Sequence, residues 1–326
     1  MGTKRVLTKG KDTDLDLEEV FELFLEEKTA LNKSTKTIRN YQGSFQVFYN
    51  YIENKEGFST KTDSISERYV HAFSTHMLNK ENRISPASIN HYLREIRAFL
   101  YWAMEKDYLP NRFKIKLVTE HDTIPDTYTD KEMDRLLAKP EKNASFVEWR
   151  NWASISWMFA TGNRAATVCN VKLCDLDFTR KEIVIRYTKT RTPQILPMST
   201  ALSYVLKDYM RKWRHGAGDK AYLFPNISDE KLTVGALEQS VRDYNHRHGV
   251  KTTSVHAFRH TFAKNWIINT GDVFRLQKML GHKTLEMTRR YVNLFGEDLK
   301  IGFDSYNPLD RQKGTRNRRQ EIKRAV

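Results

Sequence analysis

The 326-residue chain has few of the residues that stabilise small extracellular or metal-bound domains. Its 2 cysteines, Cys169 and Cys174, are too few for a disulfide framework, and their spacing suits neither a zinc site nor a redox pair. We expect both to be ordinary residues of one helix in a reducing compartment. No apolar run approaches the roughly 18 residues of a membrane span, and no signal-peptide hydrophobic region follows Met1. These shortages predict a cytoplasmic protein with no membrane partner.

Acidic residues are also in short supply relative to basic ones. Lys and Arg total 55 against 40 Asp and Glu, which gives a formal net charge of +15. Such a surplus is typical of proteins that bind polyanions, although a merely solvated basic surface is about as common on charge alone. The charge is uneven, because residues 12–27 are acidic and residues 300–326 are basic. We therefore expect the first helix to face away from a polyanionic partner.

Apolar side chains recur at helical spacing in the first third of the chain. The first stripe is Leu17, Val20, Phe21, Phe24 and Leu25, and the second is Ile38, Tyr41, Phe45, Phe48 and Ile52. A third helix is predicted to begin at Ser85-Pro86, because serine is a good N-cap and proline suits the first helical turn. Residues 15–113 are thus expected to form a helical domain, preceded by an extension of residues 1–14.

A break in periodicity separates this region from the rest of the chain. Residues 114–128 contain a proline and no repeating apolar pattern, which predicts an extended linker. The sequence Thr129-Asp130-Lys131-Glu132 is typical of a capping box and predicts the start of a new helix. A second domain is therefore expected over residues 129–300, followed by a basic tail of residues 301–326.

The second domain combines helices with two short strands. A buried helix containing Trp152 and Ile155 is expected to end near Gly162. Alternating apolar residues at 182–186 and 194–197 predict strands joined by a polar turn. The predicted fold class is therefore mainly α, with a small antiparallel β-sheet in the second domain.

Six polar residues of the second domain stand in short motifs with fixed intervals. They are Arg164 in Thr161-Gly162-Asn163-Arg164, Lys189 between the predicted strands, His256 and Arg259 in an H-x-x-R motif, His282 after Leu280-Gly281, and Tyr291 nine residues after His282. Each motif alone is common by chance. In this order and with these intervals, they resemble the active site of the tyrosine recombinase, or phage-type integrase, family. The resemblance is close over residues 129–300 and looser over the helical residues before them.

These residue types suit the breakage and rejoining of a phosphodiester. A tyrosine nucleophile, here Tyr291, keeps the bond's energy in a phosphotyrosyl ester. The guanidinium groups of Arg164 and Arg259 can bind the non-bridging oxygens, where negative charge develops in the transition state. Because protein cations supply this stabilisation, we expect neither a metal nor another cofactor.

Proton transfers are assigned to a lysine and the histidines. Lys189 can protonate the leaving deoxyribose oxygen, whereas the pKa of an arginine is too high for this role. His256 is expected to take the phenolic proton or to position the phosphate, and His282 to donate to a non-bridging oxygen. His260 matches a frequent second histidine of the family and is expected to support the site by hydrogen bonding. Tyr306 is a rival nucleophile without the interval from His282.

The resemblance also implies partners and an assembly. The first domain would be a SAM-like core-binding domain, and the two domains would clamp double-stranded DNA as a C shape. Four protomers would exchange strands through a Holliday junction, with an accessory DNA-bending protein as a further partner and the nucleoid as the location. Candidate phosphate contacts are the cations on two helices of the first domain, Lys33, Lys36, Arg39, His91, Arg94 and Arg97.

Two positions depart from the family pattern. Thr167 stands where an acidic residue is common, three positions after the first arginine, and Asn163 replaces a usually apolar neighbour. The leading interpretation is a recombinase that serves as the integrase or transposase of a mobile element. The alternatives are a chromosome-dimer-resolving recombinase, a type IB topoisomerase-like enzyme, and a catalytically silent DNA-binding protein.

Overall fold

The computed structural model describes residues 15–79, 84–120, 125–186, 193–269 and 271–295. The chain divides into two compact units, residues 1–122 and residues 123–326. Each unit has its own hydrophobic core. Within the described ranges, no helix has the length and apolar character needed to cross a membrane. The predicted extension of residues 1–14 and the predicted tail of residues 301–326 lie outside the described residues.

The described part of the first unit is helical. Its helices are α1 (Leu17–Ala30), α2 (Thr35–Glu53), α3 (Glu67–Leu78) and α4 (Pro86–Glu105). α4 begins as predicted, with the Ser85 side chain accepting a hydrogen bond from the backbone of Ser88 and with Pro86 in the first turn. α3 is missing from the sequence prediction, so the helix predicted as third is the fourth. Ser66 makes no side-chain cap hydrogen bond, but Tyr69, Val70, Phe73 and Met77 are buried at helical spacing, a signal that the prediction overlooked.

Aromatic side chains fill the core of the first unit. Phe21 stacks on Phe45 with ring centroids 3.8 Å apart, and Phe99 meets both rings edge-on. All five apolar residues of the first predicted stripe are buried. Buried aromatic rings contribute large apolar areas, and offset or edge-to-face pairs add about 0.5–1.5 kcal/mol each. The predicted periodicity of α1 is therefore confirmed as a core face.

The start of the predicted linker is held against the first unit. Residues 111–120 form neither helix nor strand, but Ile115 is buried. Asn90 on α4 binds both backbone groups of Val118, donating to its carbonyl at 2.7 Å and accepting from its N–H at 2.8 Å. The described start of this segment is therefore packed against α4 without regular secondary structure.

The second unit combines helices with a three-stranded antiparallel sheet. Its elements are α5 (Asp130–Leu137), α6 (Phe146–Thr161), α7 (Ala165–Val168), a 3₁₀ turn (Leu173–Asp175), β1 (Leu176–Asp177), β2 (Glu182–Ile185), β3 (Gln194–Pro197), α8 (Thr200–Trp213), α9 (Val234–Arg247), α10 (Val255–Ile268), α11 (Val273–Leu280) and α12 (Leu285–Phe295). The strand order is β1-β2-β3, with Ile183 opposite Leu196. The two predicted strands are confirmed. The two-residue β1 was too short to show an alternating pattern.

α6 lies at the centre of the second core, because most of its residues are buried. The capping box predicted at the start of α5 is present between Thr129 and Glu132. The prediction that both cysteines share one helix is wrong. Cys169 is buried just after α7, and Cys174 is exposed in the 3₁₀ turn, because the chain leaves the helix after only one turn.

Candidate active site

Gly162 ends α6 and brings three helices of the second unit close together. Its φ of +63° lies in the left-handed region, which residues with a Cβ rarely adopt. A Cβ at this position would lie 2.6 Å from Cδ1 of Phe262 on α10 and 2.8 Å from Cδ2 of Leu280 on α11. Glycine is therefore required both by the turn and by the close packing. Arg164 follows two residues later as the N-cap of α7.

Arg259 on α10 is the centre of the site. Its side chain is buried and donates hydrogen bonds of 2.8 Å to the carbonyl oxygens of Gly162 and Leu280 and to Nε2 of His282. Burial and the nearby charge of Arg164 lower the pKa of Arg259 to about 10. The guanidinium therefore remains charged near neutral pH. It also joins the ends of α6 and α11 to α10.

His282 has a defined tautomer in this arrangement. An arginine can only donate, so Nε2 of His282 must be the acceptor of the bond from Arg259. The ring proton of the neutral imidazole then lies on Nδ1, which donates to Oγ1 of Thr288 at 2.8 Å. Burial, followed by the charges of Arg259 and Arg164, lowers the pKa of His282 to about 4. His282 is thus neutral near pH 7.

Tyr291 on α12 places its hydroxyl in the same cluster. The side chain is 8% exposed, and its hydroxyl oxygen lies 2.9 Å from Nδ1 of His260. Its ring is nearly parallel to that of His282, with centroids 6.2 Å apart. Burial raises the pKa of Tyr291, while Arg259 lowers it through its charge and a hydrogen bond. The phenol is therefore close to the guanidinium that would stabilise its anion.

The structure brings together most of the residues that the motifs predict. Besides Arg259, His282 and Tyr291, the half-buried Arg164 belongs to the cluster, because its charge acts on the pKa of all three. His256 is exposed at the start of α10. Lys189 and the rival Tyr306 lie outside the described residues.

His260 and Thr288 have closer contacts with the reacting groups than the sequence indicates. The motifs predict a supporting role for His260, and for His256 either removal of the phenolic proton or positioning of the phosphate. The structure places a His260 nitrogen against the hydroxyl. Thr288 is fully buried and was not predicted. Its position three residues before Tyr291 was an available signal, because residues three apart share a helix face.

Comparison with known proteins gives the family. A profile of the Phage integrase family matches residues 127–297, and a profile of the phage integrase SAM-like domain matches residues 16–117. The chain belongs to the phage integrase family of tyrosine recombinases. It is 27% identical over 285 residues to the tyrosine recombinase XerC of Anoxybacillus flavithermus, a match that covers 85% of this chain and 93% of XerC.

Two solved structures share the fold of this family member. The Tn1549 transposon integrase in complex with transposon right end DNA has a TM-score of 0.70 at 21% identity, over 90% of this chain and 99% of that chain. The XerH site-specific recombinase bound to its palindromic difH substrate has a TM-score of 0.66 at 18% identity, over 91% of both chains. The predicted fold class, mainly helical with a small antiparallel sheet, is confirmed.

The two departures from the integrase family pattern have different surroundings. Asn163 is buried, and its Oδ1 accepts a 3.1 Å hydrogen bond from the indole of Trp157, which gives a polar residue a defined partner at this position. The side chain of Thr167 is half-buried, and its backbone N–H binds the carbonyl of Arg164 at 2.8 Å. This hydrogen bond fixes the backbone of Arg164 at the start of α7.

The predicted phosphate contacts of the first unit are mostly exposed. Lys33, Lys36 and Arg39 are exposed around the start of α2, and His91 is exposed on α4. On α4, Arg94 forms a 3.1 Å ion pair with Glu120, and Arg97 is half-buried.

Within the described ranges, no group of three or more His, Cys, Asp or Glu side chains could hold a metal ion.

Proposed function

We propose that this phage integrase family member is a site-specific DNA recombinase that cleaves and rejoins strands through a 3'-phosphotyrosyl intermediate on Tyr291. The observation that carries the proposal is the convergence of the Tyr291 hydroxyl, the buried Arg259 and the neutral His282 in one cluster. Such a cluster combines a nucleophile with a cationic hydrogen-bond donor for a phosphate and with a histidine that becomes a second donor once it is protonated.

Arg259 has the capacity to bind protein and DNA together. Two hydrogens of one terminal nitrogen and one of the other are donated to protein acceptors. A guanidinium has five N–H groups, so two remain for the phenolic oxygen and a phosphate oxygen. Arg164 supplies the second cation of the proposed clamp. His282 would turn its Nε2 to a non-bridging oxygen after taking up a proton, which the negative phosphate favours.

The leaving deoxyribose oxygen needs a proton of its own. We assign this step to Lys189, on the sequence motif alone, because a lysine can give up a proton that an arginine retains. His256, which is exposed at the start of α10, would contact the phosphate. No resident metal or organic cofactor enters this proposed mechanism, because the protein's own cations neutralise the phosphate.

The proposed biological role is that of an integrase or transposase of a mobile element. The structural likeness to the Tn1549 integrase supports this role. A chromosomal recombinase of the Xer kind is the second candidate, favoured by the sequence similarity to XerC and to the XerD of Oceanobacillus iheyensis, which is 25% identical over 282 residues.

The proposed partners are double-stranded recombination sites and three further copies of the chain. A related lambda integrase is known as a tetramer bound to a Holliday junction, which supports a homotetramer on DNA. We further propose that residues 15–113 form the core-binding domain, that residues 129–300 form the catalytic domain, and that an accessory DNA-bending protein assists assembly. The protein would act in the cytoplasm, at the nucleoid.

Capture of covalent adducts tests this function. The wild type and Tyr291→Phe are expressed in bacteria and isolated under denaturing conditions, and any attached DNA is sequenced. We expect DNA on the wild type alone, ending at one recurrent sequence. Adducts dispersed over unrelated sequences would favour the topoisomerase-like alternative. DNA bound under native conditions without any adduct would favour the silent DNA-binding protein.

A further inference from the structure

The hydroxyl of Tyr291 has a histidine partner outside the six residues of the family motif. Nδ1 of His260 lies 2.9 Å from the hydroxyl oxygen, and the ring centroids of the two side chains are 5.7 Å apart. The two residues belong to α10 and α12, which also pack through Ala263 and Tyr291 in a small apolar cluster. The contact is therefore supported by the packing of two helices.

The direction of this hydrogen bond follows from Arg259. The charged guanidinium lies close enough to the phenol to lower the pKa of Tyr291. Because a guanidinium is positively charged and can only donate, the phenolic hydrogen is directed away from it, towards another acceptor. The nitrogen at 2.9 Å is then the acceptor for the phenolic hydrogen, which places the ring proton of neutral His260 on Nε2.

His260 is neutral near pH 7. Burial lowers its pKa to about 4, with further lowering by His256 and Arg259 on its own helix and by Arg290 on α12. The carboxylate of Asp126, ahead of α5, acts in the opposite direction. These are the charged groups that face the ring, and the Tyr291 hydroxyl is the titratable group in contact with it. A negative phosphate beside Arg259 would offset the surrounding positive charge.

The other histidine at the centre of the site cannot take this proton directly. Both ring nitrogens of His282 are occupied, Nε2 by Arg259 and Nδ1 by Thr288. His256 is exposed at the start of the helix. His260 is thus the residue whose ring nitrogen is seen against the reacting oxygen.

We propose that His260 is a catalytic residue, the general base that orients the Tyr291 hydroxyl and accepts its proton during strand cleavage. The inference rests on the proposed function. As the bond between the tyrosine oxygen and phosphorus forms, the phenolic proton moves to Nδ1 of His260. The bond from phosphorus to the 5' oxygen breaks, and that oxygen takes a proton from the general acid assigned to Lys189. In rejoining, imidazolium His260 returns its proton to the departing tyrosine oxygen.

The polarity of the contact can be measured without DNA. In the ¹⁵N-histidine-labelled full-length protein, the proposal predicts an unprotonated Nδ1 and a protonated Nε2 for His260 at pH 7. The Nδ1 chemical shift should change in Tyr291→Phe, which lacks the donor. The His260 signals are identified by their loss in His260→Asn. A proton on Nδ1 would overturn the proposal, whatever the activity of the variants.

Single-turnover kinetics test the chemical role. The substrate is a synthetic duplex carrying the sequence recovered from the covalent adducts, with either oxygen or sulfur at the 5' bridging position. Sulfur leaves without a proton, so it removes the need for a general acid but not for a base. His260→Asn keeps an acceptor oxygen near the position of Nδ1 and cannot take up the proton. We expect cleavage of both substrates to slow by about 10²- to 10⁴-fold.

Two further readouts separate a base from a structural residue. The cleavage rate of His260→Asn should rise about tenfold per pH unit, because hydroxide must then form the phenolate. Added imidazole should restore part of the rate of His260→Ala. His248→Asn is the matched control, because His248, the residue after α9, stacks on Tyr244 with ring centroids 4.0 Å apart and has no role in the site. It should cleave at the wild-type rate.

The outcomes distinguish this inference from the proposed function. A wild type that forms no adduct on any DNA contradicts the proposed function. If the wild type is active, either of two results contradicts the role of His260: normal cleavage by His260→Asn, or restoration of the cleavage by His260→Asn when the substrate carries sulfur. The proposed function is unaffected by both. If His260→Asn fails to fold, as shown by its thermal transition, His260→Gln identifies the His260 signals instead, and the protonation state of His260 in the wild type decides the matter.

Discussion

The two units of the molecule bury different kinds of polar residue. In the described part of the first unit, the buried polar side chains are neutral, namely Ser44, Thr62 and Asn90. The second unit buries charged side chains as well, namely Arg150, Asp175, Arg214 and Arg259. A buried charge is unfavourable unless it is paired or hydrogen-bonded, and each of these four side chains has such a partner. The buried charges thus lie in the unit that also contains the motif residues.

Burial of charge does not by itself mark the site. Arg150 on α6 is buried as well. It donates to the carbonyl of Pro225, in the loop before α9, and to the hydroxyl of Ser240 on α9. Arg259 differs because it donates to a histidine and because its charge lowers the pKa of a tyrosine. The active site is thus recognised by the convergence of reactive groups. Matched substitutions in the two units test this distinction.

The largest effect is expected for Arg259→Lys. A lysine cannot reach the acceptors on Gly162, Leu280 and His282 together, and each buried acceptor left without a donor costs about 1–3 kcal/mol. Adduct formation should fall by at least about 10²-fold, because a transition-state donor is lost. The matched change is Arg112→Lys in the first unit, whose 2.8 Å ion pair with Asp107 is exposed and should contribute at most about 1 kcal/mol.

Chemical denaturation and single-turnover cleavage measure both variants. Equal losses of unfolding free energy in Arg259→Lys and Arg112→Lys would remove the basis for treating the two units differently.

The next effect is that of an alanine at Gly162. The backbone has φ +63°, and the new methyl group would meet Phe262 and Leu280. Unfolding free energy should drop by about 1–3 kcal/mol from crowding and strain, and cleavage should slow because the carbonyl of Gly162 positions Arg259. Gly57→Ala is the control, since Gly57 has φ +76° but no atom within 4 Å of the added methyl. A similar loss in both variants would show that strain alone is responsible.

A smaller effect is expected for Thr288→Val. The change keeps the shape of the side chain and removes the partner of Nδ1 on His282. Cleavage should slow by about tenfold, equivalent to about 1.4 kcal/mol, and Thr288→Ser should restore it. In the first unit, the buried hydroxyl of Thr62 has no hydrogen-bond partner, so Thr62→Val should leave stability unchanged or raise it. Normal cleavage by Thr288→Val would mean that the tautomer of His282 is held by other means.

The smallest effect belongs to the exposed cations of the first unit. Replacing Lys36 by Gln should weaken DNA binding equally for all sequences and reduce the slope of log affinity against log salt by about 0.9. Lys55, an exposed lysine after α2, is the control, and its replacement by Gln should leave the slope unchanged. Affinity titrations between about 50 and 200 mM salt measure both. An affinity independent of salt would contradict phosphate binding by this unit.

The elements with a strong local signal were predictable from sequence. The capping box at Thr129 and the glycine end of α6 have local causes and appear in the structure as predicted. α3 was missed although Tyr69, Val70, Phe73 and Met77 stand at helical spacing. β1 was missed because two residues show no alternation.

The members of the cluster could be named from sequence, but their contacts could not. Motif intervals point to Arg259, His282 and Tyr291, yet nothing local reveals that Thr288 meets His282 or that His260 meets Tyr291. Both contacts depend on how α12 packs against α10 and the end of α11. That packing is set by long-range burial, which no short interval encodes.

The most direct test of the central claim is to identify the peptide that carries the DNA. Adducts from wild type, Tyr291→Phe and Tyr306→Phe are digested with protease and nuclease and analysed by mass spectrometry. We predict a nucleotide on the peptide containing Tyr291 in the wild type and in Tyr306→Phe, and none in Tyr291→Phe. A nucleotide on the Tyr306 peptide, or an adduct that persists in Tyr291→Phe, would contradict the account.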